Sequence, residues 1–161
     1  MMETTFSRPT LKLFFGLYCV AVAYMVFIYQ REIDFSWMIK NDLFTNLDTH
    51  LNLIPFKNII GYIIQMNRVT GLNVILENIV AHMFVFSWLG YFMPRIWIKY
   101  QNPIQYIITV LLILTSIEVI QFFTRSGMCD IDDLILNFSA ALLGFIYLRH
   151  IHSEEEEIPY V

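Results

Sequence analysis

The chain has 161 residues, enough for one domain, and 57% of them are hydrophobic while only 15% are charged. Soluble domains carry about 25% charged residues, so this composition argues against one, and the apolar residues run in blocks too long for a globular core. The ten basic residues do not cluster, which excludes an electrostatic nucleic-acid surface. The formal net charge of −4 owes much to a single acidic run near the end, Glu154 to Glu157.

A membrane-spanning helix needs about 20 mostly apolar residues. The first candidate covers residues 11–29, with Lys12 as its only charge. A basic start before an apolar run also describes a secretory signal, but no small-x-small cleavage site follows, and a retained anchor is expected. Within the next loop, FKNIIGYIIQM sets Phe56, Ile59, Ile60, Ile63 and Ile64 at helical spacing. That predicts a short amphipathic helix, either lying on the membrane surface or packed on the bundle.

The second span is expected at 72–93, interrupted by Asn73, Glu77, Asn78, His82 and Ser87. The third covers 104–123, with Glu118 and Gln121 near its end. The fourth, 131–148, is the shortest and opens on Asp132 and Asp133. An acidic tail, 153–161, reads as a solvated, disordered charge run. The fold expected is all-α: a polytopic membrane protein with four transmembrane helices in a bundle. Cys19 and Cys129 suggest neither a disulfide nor a zinc site.

Lys and Arg favour the cytoplasmic side. Arg8 and Lys12 precede the first span, Arg95 and Lys99 lie between the second and third, and Arg149 follows the fourth. Both termini are therefore expected in the cytoplasm. The long loop carries Arg31, Lys40, Lys57 and Arg68, but its length weakens their effect.

On this topology the polar residues gather toward the outer surface. Glu118, Gln121 and Arg125 follow i, i+3, i+7 spacing, as do Asp130, Asp133 and Asn137; Asn78 and His82 are at i, i+4. Three such stripes can face one another. Each residue singly is better explained by helix-to-helix hydrogen bonding, and Asp132 or Asp133 by helix N-capping. Their common depth favours a site, because ionisable groups inside a membrane face the bundle interior and pair there. Arg125 is the expected counter-ion for Glu118, Asp130 or Asp133. The His and acid spacing matches no metal motif, and phosphate-binding glycine loops, nucleophile elbows and CxxC pairs are absent. No cofactor or metal is expected.

These residues resemble the VanZ-like membrane proteins, a family named for a teicoplanin-resistance protein of Gram-positive bacteria. Asn52-Leu53-Ile54-Pro55-Phe56 is similar to the family's NLxPF motif, and Phe86-Ser87-Trp88-Leu89-Gly90 to its F-x-P-x-G. The stretch from Ser116 to Phe145 is similar to an S-x-x-E-x-x-Q, R, D-x-x-D-x-x-x-N, G pattern at Ser116, Glu118, Gln121, Arg125, Asp130, Asp133, Asn137 and Gly144, with Ser116 one residue nearer to Glu118 than the pattern has it. His82 stands where the family usually has Asn, and Trp88 where it usually has Pro. The resemblance implies a bacterial plasma membrane and a link to glycopeptide resistance. The candidate ligand-binding residues are Asn52, Asn78, His82, Glu118, Gln121, Arg125, Asp130, Asp133 and Asn137. The expected partners, besides the lipid bilayer, are a lipid-linked cell-wall precursor or a lipoglycopeptide. Three functions remain open: a binding protein, an enzyme using Glu118 and Asp133 on a lipid or wall-precursor headgroup, and a lipid transporter.

Overall fold

The computed structural model describes residues 7–29, 50–65 and 71–157. Helix α1 is Arg8–Phe27, strand β1 Leu51–Asn52, helix α2 Lys57–Gln65 and helix α3 Gly71–Ile96. A single 3-10 turn, Ile98–Gln101, leads to helix α4, Pro103–Thr124. Strand β2, Cys129–Asp130, then leads directly into helix α5, Ile131–Glu157. The architecture is mostly helical, and four of these helices are long and apolar enough to cross a membrane: Arg8–Phe27, Ile79–Ile96, Pro103–Thr124 and Ile131–Ile151.

Local chemistry explains the boundaries. Asn102 caps α4, its Oδ1 accepting from the backbone N–H of Ile104 at 3.0 Å and of Gln105 at 3.3 Å, and Pro103 fills the first helical position. The helix ends at Arg125, whose backbone is left-handed at φ 49° while its N–H reaches the Phe122 carbonyl at 3.4 Å. That conformation costs a non-glycine residue about 1–2 kcal/mol.

The core is built mainly by α3, α4 and α5 around Phe86, Leu89, Met93, Tyr106, Val110 and Phe145. Two glycines set the closest approach. A Cβ on Gly144 would lie 2.0 Å from the Ser87 carbonyl oxygen, and one on Gly90 would lie 2.2 Å from the Phe145 backbone nitrogen. Helices α3 and α5 thus touch backbone to backbone, the close packing that small residues permit within membranes. Tyr106 braces the seam: its hydroxyl donates to the Ala141 carbonyl at 2.8 Å, and its ring stacks on Phe145 at 4.4 Å. Helix α1 lies outside this trio and is tied to α3 by the Tyr18 hydroxyl donating to the Val85 carbonyl at 3.0 Å. Large apolar side chains such as Leu13, Leu17, Val20, Ile104, Leu112 and Ile146 point away from the protein. Water would penalise that surface; hydrocarbon does not.

One difference from the sequence expectations has a local cause. The tail is not irregular from residue 153, because α5 continues to Glu157. An established helix propagates cheaply through good helix formers such as glutamate. Arg31, Lys40 and Arg68, used in the orientation argument, lie outside the described residues, as do 158–161.

Candidate functional site

The C-terminal ends of α1 and α4 meet the N-terminal parts of α3 and α5 at one end of the bundle. They enclose a cavity of about 390 Å³. Its polar wall comprises His82 from α3, Glu118 and Gln121 from α4, and Asp133 and Asn137 from α5. The remainder is apolar, formed by Met25 and Val26 of α1, Val85 and Phe86 of α3, and Ile117 of α4.

The polar wall is cross-linked. His82 Nδ1 lies 2.7 Å from Asn137 Oδ1. An amide oxygen only accepts, so Nδ1 carries the proton. That leaves Nε2 3.9 Å from Asp133 Oδ1. The imidazole also stacks on Phe86, with centroids 6.4 Å apart. Gln121 is buried and donates from Nε2 to the Val26 carbonyl at 3.3 Å, occupying a carbonyl that the end of α1 leaves open. Glu118 is buried too, and its Oε2 accepts the backbone N–H of Asp130 at 2.9 Å.

That last bond joins the cavity to a second polar cluster. Strands β1 and β2 pair in parallel, with Leu51 opposite Cys129 and Asn52 opposite Asp130. Buried Asp130 gathers the chain around itself. Its Oδ1 accepts from Asn52 Nδ2 at 2.8 Å and from the Asp132 backbone N–H at 2.9 Å, and its Oδ2 accepts from Asn58 Nδ2. Asp132, only 1% exposed, reaches across to α2. One carboxylate oxygen accepts from the Phe56 N–H, the other from the N–H groups of Asn58 at 2.8 Å and Ile59 at 3.2 Å. A carboxylate at a helix N-terminus satisfies open donors and meets the positive end of the macrodipole. Asp132 is thus an N-cap, as its position suggested, but for α2 rather than for its own helix.

The chemical balance outside the spans follows from this crowding. The Cys129 thiol is pushed up from its ordinary range, first by burial and then by the nearby charges of Glu118 and Asp130. The His50 imidazole is pushed down, first by burial and then by the positive charge of Arg125.

The candidate residues therefore divide into two groups. His82, Glu118, Gln121, Asp133 and Asn137 converge on the cavity. Asn52 and Asp130 form the clasp behind it. Arg125 does not line the cavity, because the helix ends before it and its left-handed backbone takes it out of the Glu118–Gln121 stripe. Asp130 leaves the Asp133–Asn137 stripe for the same kind of reason: it belongs to β2, not α5. The side chain of Asn78 lies outside the described residues. Among the described residues, no group of three or more His, Cys, Asp and Glu side chains is arranged to hold a metal ion.

The family model for VanZ/LLP1 matches residues 15–152. The chain belongs to the VanZ/LLP1 family. No curated protein and no solved structure matches it. In this VanZ/LLP1 protein the motif positions take distinct physical roles. Asn52 and Phe56 hold the first loop to Asp130 and Asp132, while Gly90 and Gly144 let α3 and α5 touch. Ser116 turns back onto its own helix, donating to the Leu112 carbonyl at 2.7 Å. Spacing along the chain does not mark Asp132 or Asn58 as part of the polar cluster. Their sequence signals are local, a candidate capping residue at Asp132 and a helix start at Lys57 that needs an acceptor, with no clue that the two belong together.

Proposed function

We propose that this VanZ-family membrane protein binds the headgroup of a lipid-linked cell-wall precursor or a lipoglycopeptide at the outer face of the bacterial plasma membrane. This binding is its link to glycopeptide resistance, teicoplanin included. The observation that carries the reading is the mixed lining of the cavity: five polar side chains together with apolar ones. Such a lining suits an amphiphile, since a few placed polar groups orient a ligand while apolar surface holds it. The opposite end of the bundle supports the orientation. There Arg95 lies over the Tyr91 ring at 3.9 Å and Lys99 over Tyr100 at 4.6 Å. Basic residues at that end favour the cytoplasm, with both termini.

The test is susceptibility. Asp133→Asn and Asn137→Ala variants, expressed at membrane abundance equal to wild type, are expected to lose the wild-type change in teicoplanin susceptibility. Retention of the full change by both would overturn the reading.

A second reading is favoured by one observation, that Glu118 and Asp133 open onto the same cavity. Two carboxylates there suit general acid and base work on a headgroup. Purified protein incubated with lipid-linked precursors separates the two readings: a new product by mass spectrometry favours catalysis, saturable binding without turnover favours binding.

A further inference from the structure

The polar cavity is continued by a second space that the family pattern does not mark. Between α1 and α3 runs a groove of about 310 Å³ whose lining begins at Met25 and Val85, which also line the polar cavity. It extends along α1 as far as Phe14. The helix from Phe14 to Met25 rises about 16 Å. That is about half of a hydrocarbon core roughly 30 Å thick, the depth of one leaflet.

The groove is lined along its length by apolar side chains, Ala21 and Val22 from α1 and Phe84 and Phe92 from α3 among them. Trp88 stands on one side, edge-on to Phe84 at 6.2 Å and against Phe92 at 5.9 Å. Tyr18 contributes its ring, because its hydroxyl is engaged by the Val85 carbonyl. Ala21 keeps α1 low along the groove. Aromatic side chains held against one another form a stiffer wall than aliphatic ones and lose little freedom on binding.

The geometry points to an acyl-chain slot: the groove between α1 and α3 takes an alkyl chain of an amphiphile whose headgroup occupies the polar cavity. The headgroup half rests on the function proposed above; the chain half rests on the groove. The ligand class is thereby narrowed to molecules with a chain that leaves the headgroup toward α1 and lies along Trp88.

The protein, reconstituted in phosphatidylcholine nanodiscs, is titrated with lysophosphatidylglycerol carrying a photoreactive diazirine in its acyl chain. Crosslinks are mapped by mass spectrometry. The expected result is saturable labelling of the Tyr18–Met25 and Val85–Phe92 segments, competed by the unlabelled lipid. Ala21→Phe fills the groove from an exposed position and is expected to weaken this labelling roughly tenfold. Leu17→Phe, exposed and outside the groove, is expected to leave it unchanged. Equal, unsaturable labelling around all lipid-facing helices would overturn the slot, as would unchanged labelling in a folded Ala21→Phe protein. Dimers crosslinked through Trp88 that exclude the probe would overturn it too. Asp133→Asn separates the two proposals: groove labelling that persists in it supports the slot while removing the headgroup assignment.

Discussion

Replacing Asp132 by Ala should release α2 from the bundle without unfolding the spans. The wild-type carboxylate accepts three backbone N–H groups, from Phe56, Asn58 and Ile59. Hydrogen bonds to charged groups contribute about 1.5–3 kcal/mol each. Phe56 is half exposed, and water would replace part of what is lost, so about 1 kcal/mol per bond is the better figure. That gives about 3 kcal/mol. An independent route agrees: loss of a strong N-cap costs up to about 2 kcal/mol and the lost dipole interaction about 0.3–1 more. Phe56 reinforces the effect. Its backbone is left-handed at φ 65°, a conformation that costs about 1–2 kcal/mol and is held in place by the bond to Asp132. About 3 kcal/mol is roughly a 150-fold change in the local opening equilibrium. Hydrogen exchange read by mass spectrometry, in nanodiscs, should show α2 amides exchanging about a hundredfold faster in Asp132→Ala. Asp132→Asn, which keeps one oxygen acceptor, should fall between. Peptides of α4 gauge global unfolding and should not change. Asp133→Asn, facing the other cluster, should leave α2 protected. If α2 exchange is unchanged in Asp132→Ala, the capping role is wrong.

Other consequences follow from the same geometry. Gly144→Ala puts a methyl group against the Ser87 carbonyl and should destabilise by about 2–3 kcal/mol, lowering Tm by about 5–10 °C. Gly16→Ala, with nothing within 4 Å of the added carbon, should not lower Tm and should raise it slightly, since alanine is the better helix former. Tyr106→Phe keeps the stack on Phe145 but leaves the Ala141 carbonyl without its donor, a loss of about 1 kcal/mol readable in the same melt. In a Cys19→Ala background, maleimide should label Cys129 slowly near neutral pH. The raised thiol pKa keeps the thiolate scarce, so the labelling rate should rise only at a pH above that of a free cysteine. Glu118→Gln removes one of the nearby negative charges and should speed labelling; a midpoint at or below that of a free thiol would refute the crowding.

Part of the candidate site is legible in the amino-acid sequence. Glu118 with Gln121, and Asp133 with Asn137, keep a helical register, and the fold places all four on one cavity. His82 joins them. The same periodicity misplaces Arg125 and Asp130, because a spacing rule assumes that the helix continues. At Arg125 the backbone turns left-handed, and at Asp130 the chain is paired with Asn52 as a strand. Which residues lie at helix ends depends on capping and pairing partners elsewhere in the chain.

Hydropathy alone determined that the chain crosses a membrane four times, because every backbone group in hydrocarbon must be satisfied within its own helix and about 20 apolar residues are needed to do so. It also determined that the costly polar residues collect at one end. Only the tertiary structure decided how they are shared between a cavity and a clasp. The clasp joins residues more than seventy positions apart, Asn52 with Asp130 and α2 with Asp132. Contacts of that range leave no period in the sequence, since neither partner's local spacing specifies the other.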